Sequence, residues 1–398
     1  MATSSDTATQ ILDDLLQQAL SQGASDVHFE SGEDFFRARF RIDGLLRLAA
    51  SPTSTLRDAV LSRIKVLARM DIAEKRLPQD GRIHYPYQNE TIDLRVSSLP
   101  TVYGEKIVIR ILNFGRQRPG LATLGYEPDD RAKLVRAIGQ PHGLILMTGP
   151  TGSGKTLSLY SCLDLLNRQE VNISTIEDPC EIHLPGANQV NINERAGLTF
   201  ASTLRALLRQ DPDVIMVGEI RDLETAEIAI QAAQTGHLVL STLHTNDAPS
   251  TLARLRHMGV PAFNVAASVS LITAQRLVRR LCEHCKRPME SKQIEFLMGH
   301  MTSREIDPLV AQACDNATPY CPHGCDRCDN GYKGRIGIYQ VMPVSHAMQE
   351  LLMLDNNTQN LSTQSHKEGV RTLRQAGWLK VLQGITSIEE VMALTHHD

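Results

Sequence analysis

The sequence predicts an α/β protein: a mostly parallel sheet covered by helices on both faces, preceded by a small α+β domain and carrying a zinc-binding tetracysteine insertion. Three observations predict it. Between residues 143 and 243 the short apolar runs "GLILMTG", "NISTIED", "DVIMVGE" and "HLVLSTL" alternate with helical segments at 155–168, 199–209 and 222–235. That alternation is the pattern of parallel strands buried on both faces. A glycine-rich loop at 149–156 joins the first of these strands to its helix, and two C-x-x-C pairs follow the last strand in a loop-rich stretch.

Taken in order, "QILDDLLQQAL" (10–20) has apolar residues at helical spacing, and "FFRARFRIDGLLRLA" alternates up to an Asp-Gly turn, as a hairpin does. A helix follows at 55–70, and "DGRIHYPYQNETIDLRVSSLPTVYGEKIVIRIL" reads as three strands, so that residues 8–113 form the N-terminal α+β domain. Glycine, proline and charge mark 114–128 as a linker. The α/β core spans 129–275, the cysteine module 276–335 and a helical subdomain 336–398.

The longest apolar stretch, "VPAFNVAASVSLITAQRLV", is interrupted by Asn264, Ser268, Ser270, Thr273 and Gln275, which reads as a buried or amphipathic helix and not as a membrane span. The polar start "MATSSDTATQ" lacks the basic and apolar regions of a secretory leader. A net charge of −4 exerts no overall pull on nucleic acid or acidic membranes. These features predict a cytosolic protein that meets a membrane only through partners.

Gly149-Pro150-Thr151-Gly152-Ser153-Gly154-Lys155-Thr156 fits the phosphate-loop pattern in full, with a strand before it and a helix after it. The glycines let backbone N–H groups converge on one concavity, and the helix N-terminus adds positive potential. Lys155 is placed to reach the β- and γ-phosphates, and the Thr156 hydroxyl to coordinate Mg²⁺. The loop therefore predicts a bound nucleoside triphosphate, ATP. Work on that ligand needs carboxylates. Glu219 ends "DVIMVGE", and "STIEDPCE" places Glu177, Asp178 and Glu181 at the tip of another strand. Acids at the ends of two neighbouring strands serve the metal-bound water and the attacking water separately. His237 and His244 stand at the two ends of "HLVLSTLH". Ser241, Thr242 and Thr245 accompany His244 toward the phosphates, while spacing assigns neither histidine a specific role.

Cys282/Cys285 and Cys325/Cys328 form two knuckles 39 residues apart, a set suited to tetrahedral Zn²⁺ as a structural site. The separation exceeds ribbon spacing, so the halves must come from different segments. Cys314, Cys321, His284 and His323 lie near enough in sequence to leave the ligand choice open. A redox role is disfavoured because neither pair sits at a strand–helix junction. Cys162 and Cys180 read as packing residues.

With these motifs in order, "SDVHFE", "RLPQDGRI", "SLPTVYGEKIVIRIL", "GPTGSGKT", "STIEDPCE", "LRALLRQDPDVIMVGEIRDLETAEIAIQAAQTGHLVLSTLHTNDA", the double knuckle and "GYKGRIGIYQ", the chain resembles the secretion and pilus-assembly ATPases of type II secretion and type IV pilus systems. The resemblance covers residues 10–395. It implies a homohexameric motor with a PAS-like N-terminal domain and a RecA-like ATPase domain, the ATP sites lying between them. It implies Lys155 and Thr156 as Walker A residues, Glu219 as the Walker B acid, Glu181 as general base, and His237 and His244 as a histidine box. Arg95, Arg110, Arg205 and Arg209 match the arginines that neutralise the γ-phosphate. An arginine delivered by domain closure makes hydrolysis depend on conformation. The plainer alternative for Arg95 and Arg110 is a cross-strand surface pair.

The cysteines favour the assembly or secretion branch over the retraction branch. The implied work is pilin or pseudopilin polymerisation through an inner-membrane platform protein, by a cytoplasmic ring peripherally associated with that membrane. A DNA-transport ATPase and a catalytically idle docking scaffold are the rival readings. The acidic balance, with no basic run interleaved with aromatics, weighs against direct nucleic-acid contact. The intact Lys155, Thr156, Glu181 and Glu219 weigh against the scaffold.

Overall fold

The computed structural model describes residues 4–112, 120–290, 318–354 and 357–395, and the chain divides into two compact units, residues 1–116 and 117–398. The first unit holds α1 (Ser4–Ser21), β1 (Asp26–Ser31), β2 (Phe36–Ile42), β3 (Leu45–Ala50), α2 (Arg57–Leu67), β4 (Gln79–Tyr87), β5 (Glu90–Thr101) and β6 (Gly104–Leu112). Its six strands form one antiparallel sheet in the order β3-β2-β1-β6-β5-β4. The expected α+β character is therefore present. Helix α1 starts well before residue 10, because Ala8 continues the buried stripe of Leu12, Leu15, Leu16 and Ala19. The predicted hairpin turns through Asp43 and Gly44, both at positive φ, as a two-residue turn matched to strand twist requires.

Strand β2 shows how this sheet is sided. Phe36, Ala38, Phe40 and Ile42 enter the core with Leu12, Leu16 and Ile64, while Arg37, Arg39 and Arg41 point away. On that outer face Glu30 pairs with Arg37 (2.9 Å), Arg39 (2.8 Å) and Lys106 (3.2 Å). Burial works to raise the Glu30 pKa, and these cations override it and hold it at about 2.

The second unit is a seven-stranded sheet in the order β15-β12-β7-β11-β10-β8-β9. It contains β7 (Gly143–Thr148), β8 (Ile173–Glu177), β9 (Asn188–Asn191), β10 (Val214–Val217), β11 (Leu238–Leu243), β12 (Val269–Leu281) and β15 (Tyr332–Pro343), while β13 (Arg287–Pro288) and β14 (Tyr320–Cys321) form a small ribbon apart. All pairings in the large sheet are parallel except that of β12 with β15. Helices α3 (Pro128–Ile138) and α4 (Lys155–Leu166) cover one face. The other is covered by α5 (Phe200–Leu207), α6 (Leu223–Gln234), α7 (Ala248–His257), α8 (Ala262–Ser268), α9 (His346–Leu354) and α10 (Thr358–Lys367). Helices α11 (Leu373–Leu382) and α12 (Ile388–Leu394) pack around the fully buried Trp378.

Two expectations change. The apolar stretch 260–278 is a helix only as far as Ser268, and the rest is strand β12 between β15 and β7. A strand buried on both faces reads as a continuous apolar run, which hydrophobic periodicity does not separate from a buried helix. The segment 114–128 is not a free linker over its described part. Leu121, Leu124 and Tyr126 are buried in the second unit's core, where the Tyr126 ring stacks on Tyr339 at 3.6 Å between centroids; residues 113–119 lie outside the described residues. No described helix is long and apolar enough to cross a membrane.

The C-terminal segment is tied to α3 by charge. Arg371, fully buried, donates to Asp130 (2.6 Å) and Asp129 (2.5 Å), and Lys133 also pairs with Asp130 (2.9 Å). Replacing one partner of a buried pair strands the other in a low-dielectric site. Arg371→Leu should therefore lower stability by about 3 kcal/mol. The check is a lower urea midpoint at an unchanged transition slope.

Candidate functional site

The parallel register ends β7 at Thr148, opposite Leu243 of β11, while Val217 of β10 lies opposite Ser241 of β11 and Ile176 of β8. The loops that follow these strands consequently open on one edge of the sheet, where open α/β sheets bind ligands. The phosphate loop leaves this edge. Gly149, Gly152 and Gly154 have φ of 144°, 79° and 90°. A Cβ on Gly149 would stand 2.5 Å from the Gln275 carbonyl oxygen, so glycine is required there for space as well as for φ. Gln275 of β12 also donates from Nε2 to the Ser153 carbonyl (2.8 Å), fixing the loop from the adjacent strand. Pro150, Thr151 and Gly152 are exposed.

Lys155 opens α4 and is buried; its Nζ donates to the carbonyls of Gly149 (2.7 Å) and Pro150 (3.1 Å). Burial brings its pKa down to about 8, opposed by the Glu219 carboxylate and aided by Arg276. Thr156 follows on the first turn of the same helix. Converging glycines, a buried lysine and a hydroxyl at a helix start fit a triphosphate with its Mg²⁺.

Glu219 leaves β10 beside this loop. Its carboxylate accepts from the Arg221 guanidinium, with Nε at 2.8 Å, and lies 3.4 Å from His244 Nε2. Arg221 also reaches Asp178 (3.5 Å). The edge thus brings together Lys155, Glu219, His244 and Asp178. Arg221 joins two of the acids and was not singled out in the sequence, where the only signal was its place two residues beyond the acidic strand exit. Gln275 was missed as well, hidden in an apolar run.

Other expected residues lie elsewhere. Glu177, expected at the nucleotide, is buried in a closed network. Its oxygens accept from Tyr160 Oη (2.8 Å) and Thr175 Oγ1 (2.8 Å), and Gln189 Nε2 lies 3.3 Å away. Burial and the adjacent Glu177 charge both raise the Tyr160 pKa, keeping the phenol a donor. Cys180 belongs to the same network instead of being plain packing, whereas Cys162 is fully buried in the core. Glu181 is half-buried in the loop between β8 and β9.

His237 precedes β11, its backbone oxygen accepting from Gly143 at the start of β7. It therefore stands at the opposite end of the strand from the phosphate loop, about 20 Å along it at strand rise. Its ring Nδ1 is 3.0 Å from the Ala232 carbonyl. Arg205 pairs with Glu224 (2.7 Å), and Arg209 donates to the Arg205 carbonyl (2.9 Å). In the first unit, Arg95 and Arg110 are directly opposite across β5 and β6, and Arg82 of β4 faces Arg95 on its other side. Arg110 also pairs with Asp26 (3.1 Å).

The cysteine knuckles meet because β12 and β15 are antiparallel, with Leu281 opposite Tyr332. Cys282, just past the end of β12, donates its N–H to Gly331 (2.8 Å), just before β15. The Sγ atoms of Cys282, Cys285, Cys325 and Cys328 all lie within 4.8 Å of one another, the closest pairs at 3.6 and 3.9 Å. A tetrahedron of sulfurs at Zn–S bond length has edges of about 3.8 Å, so these four fit the ion. Cys321 faces the Arg287 carbonyl, and Cys314 lies outside the described residues.

The sequence profile described as "Type II/IV secretion system protein" matches residues 2–393. The chain belongs to this family. It is 52% identical over 382 residues to the type IV pilus assembly ATPase PilB of Acinetobacter baylyi, covering 96% of this chain and 65% of that protein. It is 53% identical to the PilB of Pseudomonas aeruginosa, covering 96% and 66%, and 45% identical to the type II secretion system ATPase E of Vibrio cholerae, covering 97% and 75%. The chain thus spans just under two thirds of the first two relatives. The pilus retraction motor PilT with bound ADP superposes with a TM-score of 0.65 at 25% identity, over 96% of each chain. The ATPase DotB of Legionella pneumophila shares the fold, with a TM-score of 0.70 at 20% identity over 98% of this chain and 96% of its own.

The lowered pKa of Lys155 makes stability depend on pH. Between about 8 and about 10.4 the unfolded chain retains a proton that the folded lysine has released, so stability rises with pH through that window. Measured by urea unfolding, the wild type should gain stability relative to Lys155→Met from about pH 8 to about pH 10, and not between about pH 6 and 7. A difference independent of pH would contradict this.

Proposed function

We propose that this chain is an ATP-hydrolysing motor of a type IV pilus or type II secretion machine. The observation that carries the reading is the phosphate loop with Lys155, Thr156, Glu219, His244 and Asp178 gathered on one sheet edge. Loop N–H groups and Lys155 bind the phosphates, Thr156 and Glu219 hold the metal's ligand sphere, and Glu181 takes the proton from the attacking water. Mg²⁺, when bound, neutralises charge on the β- and γ-phosphate oxygens.

Arg95 and Arg110 take the role the family resemblance implies, neutralising γ-phosphate charge. Supporting this is their placement directly opposite one another across β5 and β6, where one anion could be shared by both guanidinium groups. Arg205 and Arg209 are proposed for the same task and His237 for the histidine box, each in the assembled homohexamer. The RecA-like core and PAS-like N-terminal unit, with the domain limit near 113, and a cytoplasmic ring working through an inner-membrane platform protein complete the proposal; the expected limits at 275 and 335 fall inside β12 and β15 of one sheet and are not carried forward. Identity to pilus assembly and type II secretion ATPases over nearly the whole chain supports it. Zn²⁺ in the tetracysteine site holds the end of the β12–β15 ladder and has no part in hydrolysis.

Mg-ATPase activity should co-elute with the hexamer in size exclusion. It should fall by at least about 100-fold in Lys155→Ala, Glu181→Gln and Arg110→Ala. A verified hexamer with no turnover above the Lys155→Ala background would refute the motor. Metal analysis should find about one zinc per chain. Cys325→Ser should lose that zinc and lower the Tm, while phosphate-loop nucleotide binding persists.

A further inference from the structure

We infer that Gln189 is a positioning residue that holds the Glu181 loop in register with the phosphate-loop helix. The loop that carries Glu181 runs from the end of β8 to the start of β9, and three of its backbone atoms are held by β9 side chains. Asn191 Oδ1 accepts from the Cys180 N–H (2.6 Å). Gln189 Oε1 accepts from the Leu184 N–H (2.8 Å), and Gln189 Nε2 donates to the Ile182 carbonyl (2.8 Å). Glu181 lies between the first two of these anchored residues in sequence.

The same Nε2 donates to Tyr160 Oη (2.8 Å), on α4 one and a half turns beyond Lys155, and Tyr160 in turn donates to Glu177 at the end of β8. A primary amide has two N–H donors, and the two shortest contacts, to Ile182 and Tyr160, use both. One side chain therefore bonds the loop on one side and the helix that starts the phosphate site on the other. Thr175 sits opposite Gln189 in the parallel register and donates to the same Glu177, which fixes the far side of the network. Such a bracket supplies what a base needs, a fixed distance to the proton it removes.

The inference rests on Glu181 being the base proposed above. Steady-state Mg-ATPase kinetics and ADP affinity are measured on the full chain as wild type, Gln189→Leu, Tyr160→Phe, Glu181→Gln and the double variant Gln189→Leu/Glu181→Gln. Gln189→Leu should lower kcat by about 10- to 100-fold. Its KM and ADP affinity should stay within about two-fold of wild type, because the phosphate loop is untouched. Tyr160→Phe should lower kcat in the same direction. The double variant should be no slower than Glu181→Gln alone, since Gln189 acts through that carboxylate.

Should Gln189→Leu melt without cooperativity, Tyr160→Phe, which loses one hydroxyl, carries the same comparison. Wild-type kcat in Gln189→Leu, a loss that multiplies onto Glu181→Gln, or a matching loss of ADP affinity overturns the inference and leaves the base assignment standing. Wild-type turnover in Glu181→Gln overturns the base assignment and the inference with it.

Discussion

The parallel pairing of β7, β11, β10 and β8 is the constraint on which the site depends. Because these strands run in one direction and in matched register, every loop after them opens on the same edge. The phosphate loop, the Glu219 turn, Asp178 and His244 are brought together by that geometry and not by nearness in sequence. The flanking strand β12 adds the second half of the constraint. Its Gln275 is both the wall that leaves no room for a Cβ at Gly149 and the donor that holds Ser153.

Much of this was legible in the sequence, for physical reasons. Glycine spacing in the phosphate loop states the required backbone conformation directly, and Glu219, just past the buried strand β10, follows the chain out onto the loop edge. What was hidden depends on direction and on partners. "HLVLSTLH" shows a histidine at each end of a strand, but only the strand's direction in the sheet says which end faces the loop, and His237 is at the other. "STIEDPCE" shows three candidate side chains, but alternation and local packing turn Glu177 into the Tyr160 network and leave Asp178 to Arg221.

Packing also decided the boundaries. Leu121, Leu124 and Tyr126 sit among glycines and prolines that read as a hinge, yet they are core residues against Tyr339. Strand β12 hid inside an apolar run because burial on both faces erases the alternation by which strands are recognised. The tetracysteine site was half legible. Paired knuckles announced a metal, and only the β12–β15 ladder explains how residues so far apart in sequence come to share one.

The arginine row on the first unit has a consequence for that unit's response to its solvent. Arg82, Arg95 and Arg110 stand abreast on three successive strands. Their mutual repulsion, partly offset where Asp26 takes Arg110 (3.1 Å), shrinks as dissolved ions shorten the Debye length. The neighbouring Glu30 cluster behaves oppositely, since its attractions are what salt weakens. One face of a single sheet therefore sets repulsions that ionic strength relieves beside attractions that it weakens.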